Sequence, residues 1–167
     1  MKRRSRLTRA RLRELLDYNP KTGEFRWRKR PGGGARSDLS AGHVESDQGR
    51  RRIGIDGRVY SAHQLAWFYV TGRWGKPIID HRDGDGTNNR LNNLRPATRS
   101  QNGANSRRPR HNTSGHKGVS PHRRKWLATI CTNGKKIHLG LFDTPQEAHE
   151  AYLKAARKLF GKFARAE

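Results

Sequence analysis

Apolar positions near the start of the chain change rhythm within thirty residues. Leu12, Leu15 and Leu16 recur at helical spacing behind Thr8, whose hydroxyl can cap a helix start while Leu7 packs on Leu12. This pattern predicts a helix ending at Asn19-Pro20, because a residue before proline is driven out of the helical region. Asn19-Pro20-Lys21-Thr22-Gly23 then reads as a turn, and Glu24 to Arg28 alternates like a strand with Phe25 and Trp27 on its core face. Residues 1–6 read as a basic arm, and 29–43, with Pro31-Gly32-Gly33-Gly34, as a flexible loop.

The next stretch, Arg50 to Tyr60, predicts a hairpin: Ile53 and Ile55 alternate, and Asp56-Gly57 is a two-residue turn signal before Val59. Ser61 and Gln64 have capping-box spacing, so a helix carrying Ala66, Trp67, Phe68 and Tyr69 should run to Gly72. His63, on that helix, reads as a structural residue, with a phosphate contact as the alternative. A short apolar run, Ile78-Ile79, leads into a Gly- and Asn-rich loop. Thr98 and Gln101 repeat the capping-box spacing at the next helix. Residues 117–140 predict three short strands, the second Trp126–Ile130 and the third Lys136–Gly140 across an Asn133-Gly134 turn. A helix should follow, capped by Thr144 and Glu147, opened by Pro145 and stopped at Gly161, with a stripe from Ala148 to Phe160. The expected class is α+β, with a small three-stranded antiparallel sheet packed on one C-terminal helix. The expected domains are residues 1–105, with a motif core at about 60–105, a basic linker at 106–113, and 114–167.

Composition narrows what such modules do. Lys and Arg number 37 against 14 acidic residues among 167, a formal net charge of +23, while hydrophobic residues make up only 31%. A charge excess spread from Arg3 to Arg165 points to nucleic acid rather than to a solvated surface alone. No long apolar segment or lipidation signal supports membrane binding, and no apolar leader is seen, so a cytoplasmic setting is expected. One cysteine, Cys131, excludes an internal disulfide and a Cys-rich zinc site, so no structural zinc is expected.

On simple alternation, Trp126, Ala128, Ile130, Ile137 and Leu139 face the last helix. The opposite sheet face then carries Leu127, Thr129, Cys131, Lys136 and His138, with Lys117, His122, Arg123, Arg124, Lys125 and Lys135 around its edges. Such a basic face can lie in a major groove. The expected DNA contacts are Lys117, His122, Arg124, Thr129, Lys135, Lys136 and His138.

The chemistry concentrates in Asp80-His81-Arg82-Asp83-Gly84 and the asparagines that follow. Phosphodiester hydrolysis needs an activated water, charge relief on the phosphate and alignment. His81 can act as general base, its ordinary pKa being about 6.5. Asp80 can bind a divalent ion through oxygen, and Asn102, in the first turn of a helix, can be a second ligand. Strand alternation puts Asp80 and His81 on opposite sides unless the strand ends there, which the following glycines permit. Asn93 is placed to pin the loop by hydrogen bonds to backbone. The same residues also suit an ordinary turn, and spacing alone leaves both readings open.

Asp80-His81-Arg82-Asp83-Gly84, Asn88-Asn89-Arg90-Leu91, Asn92-Asn93-Leu94-Arg95 and Thr98 to Asn102 resemble the HNH endonucleases, in particular the phage and intron-encoded homing type. The resemblance runs from about Tyr60 to Asn105. It implies a ββα-metal fold, with His81 as the base, Asn93 orienting the His-bearing loop, and Asp80 and Asn102 as metal ligands. It also implies a divalent ion, Mg²⁺ first and Mn²⁺ as the alternative. Asn19 to Phe25 and Ala66-Trp67 resemble the N-terminal extension of phage members. Lys117-Gly118-Val119, Trp126-Leu127-Ala128, Ile137 to Gly140, Phe142-Asp143-Thr144, Glu147-Ala148 and Ala151-Tyr152 resemble the APETALA/ethylene-response-factor DNA-binding domain. That domain reads the major groove with its sheet. Lys117 stands where an Arg is usual, and Thr129, Cys131 and His138 replace longer contact residues, so the sequence preference of the plant factors does not carry over.

Together these readings describe a metal-dependent endonuclease acting on double-stranded DNA, a monomer on its target, encoded by a phage or mobile element and working in a bacterial host's cytoplasm. The rivals are a non-catalytic DNA-binding regulator and a structural RNA-binding protein.

Overall fold

The computed structural model describes residues 7–28, 40–45, 49–74 and 78–166. The basic arm at 1–6 and most of the expected loop, 29–39, lie outside them. The chain forms two compact units, one up to Pro96 and one from Ala97 onward.

In the first unit, helix α1 spans Arg9–Leu15, and Thr8 caps it by accepting from the Arg11 backbone N–H. The helix is shorter than its periodicity suggested. Leu16–Tyr18 leaves it as strand β1 and pairs antiparallel with β2, Phe25–Trp27, so that Leu16 and Tyr18 are buried and Asp17 is exposed. Pairing with a strand seven residues further on outweighs the helical propensity of Leu16, which local spacing cannot reveal. Asn19 shapes the connecting turn, its side-chain oxygen accepting from the backbone of Lys21 and Thr22. The described end of the expected loop is ordered structure: Ser40 bridges to Arg26, Ala41 is fully buried, and His43–Val44 forms strand β3.

Strands β4 (Arg51–Ile55) and β5 (Arg58–Ser61) complete a three-stranded sheet in the order β3-β4-β5. Asp56 and Gly57 both have positive φ, the conformation a two-residue hairpin demands. Helix α2 spans Ala62–Thr71 and stops at Gly72, which has φ +70°. Its expected capping box is not made. Ser61 makes no side-chain cap bond, and its hydroxyl accepts instead from Arg52 at 2.9 Å. Leu65, Ala66 and Phe68 pack with Leu12, Leu15, Leu16, Phe25, Ile53 and Ile55 in the core of this unit. Strands β6 (Ile78–His81) and β7 (Leu94–Ala97) then form a two-stranded sheet around the loop that holds the candidate site.

The second unit opens with helix α3, Arg99–Asn105, whose Thr98–Gln101 capping box is complete. Strands β8 (Val119–His122), β9 (Lys125–Thr132) and β10 (Lys135–Phe142) form an antiparallel sheet with β9 central. Helix α4, Pro145–Phe160, packs on it behind the complete Thr144–Glu147 box. Ala128, Ile130, Ala148, Tyr152, Ala156 and Phe160 are buried in this layer. A bulge between His138 and Gly140 shifts the register. Leu139 becomes the extra residue, Phe142 pairs with Trp126 and packs toward the helix, and Leu141 pairs with Leu127 and is exposed. Simple alternation across β10 therefore fails after His138. Ile137, expected in the core, is 39% exposed opposite buried Ile130.

Candidate functional site

The last two residues of β6, Asp80 and His81, are both buried. Asp80 Oδ2 accepts from Arg95 Nε at 2.9 Å, an ion pair across the β6–β7 sheet in which both side chains are about 6% exposed. Arg95 reaches Asp80 because β7 pairs with β6 and both residues are buried in that sheet.

The loop after His81 is held by its own side chains. The Arg82 N–H donates to the Asn93 carbonyl at 2.8 Å, and the Gly84 N–H to the His81 carbonyl at 3.0 Å. Asn93 Oδ1 accepts from the Asp83 N–H at 3.1 Å, and its Nδ2 donates to Asp83 Oδ1 and to the Asn88 carbonyl. These bonds give Asn93 the backbone-pinning geometry expected for it. Asp83 also accepts from Asn88 Nδ2 at 2.6 Å and from the Asp85 N–H. Burial pushes the Asp83 carboxyl up, but these donors outweigh it and hold the group below the usual carboxylate range. Asp85 is also held low, chiefly by the Thr87 hydroxyl and then by the Thr87 backbone N–H.

His81 sits against two further groups. Its Nε2 lies 3.1 Å from Asn89 Oδ1. Its ring meets that of His63 edge-on, with centroids 5.0 Å apart. His63, from α2, is buried; that burial, then the charge of His81 and of Arg50 and Arg52, pushes its pKa down to about 3. It is a neutral aromatic wall at ordinary pH. Asn89 belongs to the Gly- and Asn-rich loop, and its sequence context marks no separate role for it. It is among the most deeply buried side chains, 2% exposed, and nothing in its type distinguishes it from half-buried Asn88 beside it.

Asn102 lies in the first turn of α3, half-buried, its N–H bonded to the Thr98 carbonyl. Among the described residues no three His, Cys, Asp or Glu side chains gather to hold a metal ion. Asp80 nonetheless fits a hard cation in kind. An ionised carboxylate is a hard oxygen donor, and the Arg95 Nε bond orients it. An ion so held draws on few protein oxygens, with phosphate and water completing its shell.

On the C-terminal sheet, cross-strand pairing puts Thr129 with His138 and Cys131 with Lys136 on the face away from α4. Cys131, Lys135, Lys136, His138, His122 and Arg124 are exposed, and Thr129 is half-buried. Leu127 and Leu141 add an apolar spot to the same face. Lys117 is not at its edge. It is buried, and its ammonium donates to the Ala104 and Ser106 carbonyls at 2.5 Å each, capping the C-terminal end of α3. Burial, with the charge of Arg165 adding to it, pushes its pKa down to about 8.

A strand that ends in a buried Asp-His dipeptide and leads into an Asn-pinned loop accords with the family match to this region. Residues 60–104 match the HNH endonuclease family. The chain is also 38% identical over 89 residues, 52% of its own length and 73% of the relative's, to Protein 3.8 of Escherichia phage T7. The chain belongs to the HNH endonuclease family and has a phage-encoded relative. No solved structure matches it significantly. Members of this family act on nucleic acid and generally use a divalent metal. No helix among the described residues is long and apolar enough to cross a membrane.

Proposed function

We propose that the chain is a metal-dependent DNA endonuclease of the phage or mobile-element homing type, with a ββα-metal site of the kind its family implies. In this reading His81 takes a proton from the attacking water, Asn93 holds the His-bearing loop, and Asp80 and Asn102 hold a divalent ion, Mg²⁺ first. When bound, that ion would relieve charge on the scissile phosphate and the departing oxygen. Arg95 orients the Asp80 carboxylate through their buried ion pair. The observation that carries the reading is the pinned loop: Asn93 ties both Asp83 and Asn88 down beside His81, within the residues that match the family.

The C-terminal sheet is the proposed DNA-holding surface, similar to an APETALA/ethylene-response-factor domain. Lys136 and His138 lie on its open face, with His122, Arg124, Thr129 and Lys135 beside them. The apolar Leu127–Leu141 spot belongs to that face. A net charge of +23 supplies the non-specific affinity for phosphates.

The test is incubation of supercoiled double-stranded DNA with the protein, in Mg²⁺ or in chelator, for the wild type and His81→Ala. Metal-dependent nicking by the wild type alone is expected. Equal nicking by both, or none by the wild type, overturns the enzyme reading and leaves a DNA-binding regulator.

A further inference from the structure

Asn89 is held by more of the molecule than a loop residue needs. Its Nδ2 donates to the Thr87 carbonyl at 3.2 Å, which fixes the amide orientation and turns Oδ1 toward His81. An amide oxygen only accepts, so the His81 Nε2 facing it at 3.1 Å must carry the proton. The neutral imidazole then has its lone pair on Nδ1.

The backbone of Asn89 is fixed in turn by the N-terminal hairpin. The Tyr18 hydroxyl donates to the Asn89 carbonyl at 2.7 Å. The Leu91 N–H donates to the Pro20 carbonyl at 3.0 Å. Gly23, with φ +81°, lies so close that a Cβ there would sit 2.6 Å from the Arg90 nitrogen and the Asn89 carbonyl carbon. Burial raises the Tyr18 phenol to about 12, so it remains a donor throughout the working range.

We propose that Asn89 is a positioning residue that sets the tautomer and ring orientation of His81, and that the β1–β2 hairpin is the brace that holds Asn89 in place. The inference builds on His81 as the proton acceptor. It gives residues 16–27 a role in the chemistry rather than in DNA contact. His63 closes the other side of the ring, so His81 is oriented from two directions.

The test uses the full chain. Nitrogen-15 spectra of the imidazoles, without metal and at one fixed pH, are recorded for the wild type, Asn89→Ala, Asn89→Asp and Tyr18→Phe, with His81→Ala to assign the signal. The wild type should show His81 as one tautomer with a slowly exchanging Nε2–H. That proton should be lost in Asn89→Ala and kept in Asn89→Asp, which retains the acceptor oxygen. Nicking assays should show kcat lowered about 10- to 100-fold in Asn89→Ala with KM for DNA unchanged, since small misplacements of a reacting group cost that much. Asn89→Asp should recover part of the rate, and Tyr18→Phe should lose less, in the same direction. An unprotonated Nε2 in the wild type, or a native kcat in Asn89→Ala, overturns the proposal. If Asn89→Ala does not fold, native Nε2–H exchange and kcat in Tyr18→Phe overturn the hairpin's part. Should His81→Ala nick like the wild type, the general-base reading falls alone, because the spectra still decide whether Asn89 holds the ring.

Discussion

His63 should make the first unit lose stability in mild acid, before most carboxylates titrate. Its folded pKa is pushed down to about 3, while an unfolded histidine titrates near 6.5. Between these values the unfolded chain binds a proton that the folded chain refuses, so stability falls as pH drops through 6.5 toward 3. At pH 5 the linkage amounts to about 2 kcal/mol, and at full development to about 5 kcal/mol. The side chain is only 7% exposed, so solvent screening removes little of this. The groups facing it, His81, Arg50 and Arg52, each push its pKa further down. Urea unfolding at pH 7.5 and pH 5, for the wild type and His63→Phe, isolates the effect as a double difference. The variant keeps an aromatic ring against His81 but has nothing to titrate. A wild type that loses no more stability than the variant would refute the reasoning and place a solvated or charge-paired histidine at this position.

Other outcomes follow from the second unit and the loop. Gly118 has φ +75°, and a Cβ there would collide with the Tyr152 ring, so Gly118→Ala should destabilise by about 2 kcal/mol in thermal or urea melts. Lys117 has a folded pKa of about 8, below its unfolded value, so the folded state releases its proton first as pH rises. Between pH 8 and about 10.5 the wild type should therefore gain stability relative to Lys117→Met, measured by the same melts. Replacing Lys135 and Lys136 together by Glu should weaken DNA binding and flatten the slope of log K against log salt by about 2, read by fluorescence anisotropy.

Where the sequence could be read, the signal was local and complete. Asp56-Gly57 and Asn133-Gly134 make the expected turns, with positive φ at both residues of each. The Thr98–Gln101 and Thr144–Glu147 boxes form because both partners of each are within one helical turn. Ser61 has the same spacing, but a cross-strand arginine claims its hydroxyl. Failures elsewhere have the same character. Leu16 leaves its helix to meet Trp27, a bulge at Leu139 turns Leu141 outward, and Lys117 turns inward to carbonyls eleven and thirteen residues back. In the candidate site, the backbone hydrogen bonds of Asn93 were expected from its place just before Leu94. The role of Asn89 was not, since its importance comes from Tyr18, 71 residues earlier in the chain.

The capping of α3 by Lys117 bears on how such a protein can be recombined. Besides Lys117, the helix is tied to the same unit by the Asn133 N–H on Ser100 Oγ and the Arg165 N–H on the Ala104 carbonyl. An exchange of modules cut in the arginine-rich stretch after Ser106 would carry α3 away from all three ties. A cut at Pro96–Ala97 keeps them intact. Natural or engineered swaps that change DNA preference should then move the helix bearing Asn102 together with the sheet, as a single heritable block.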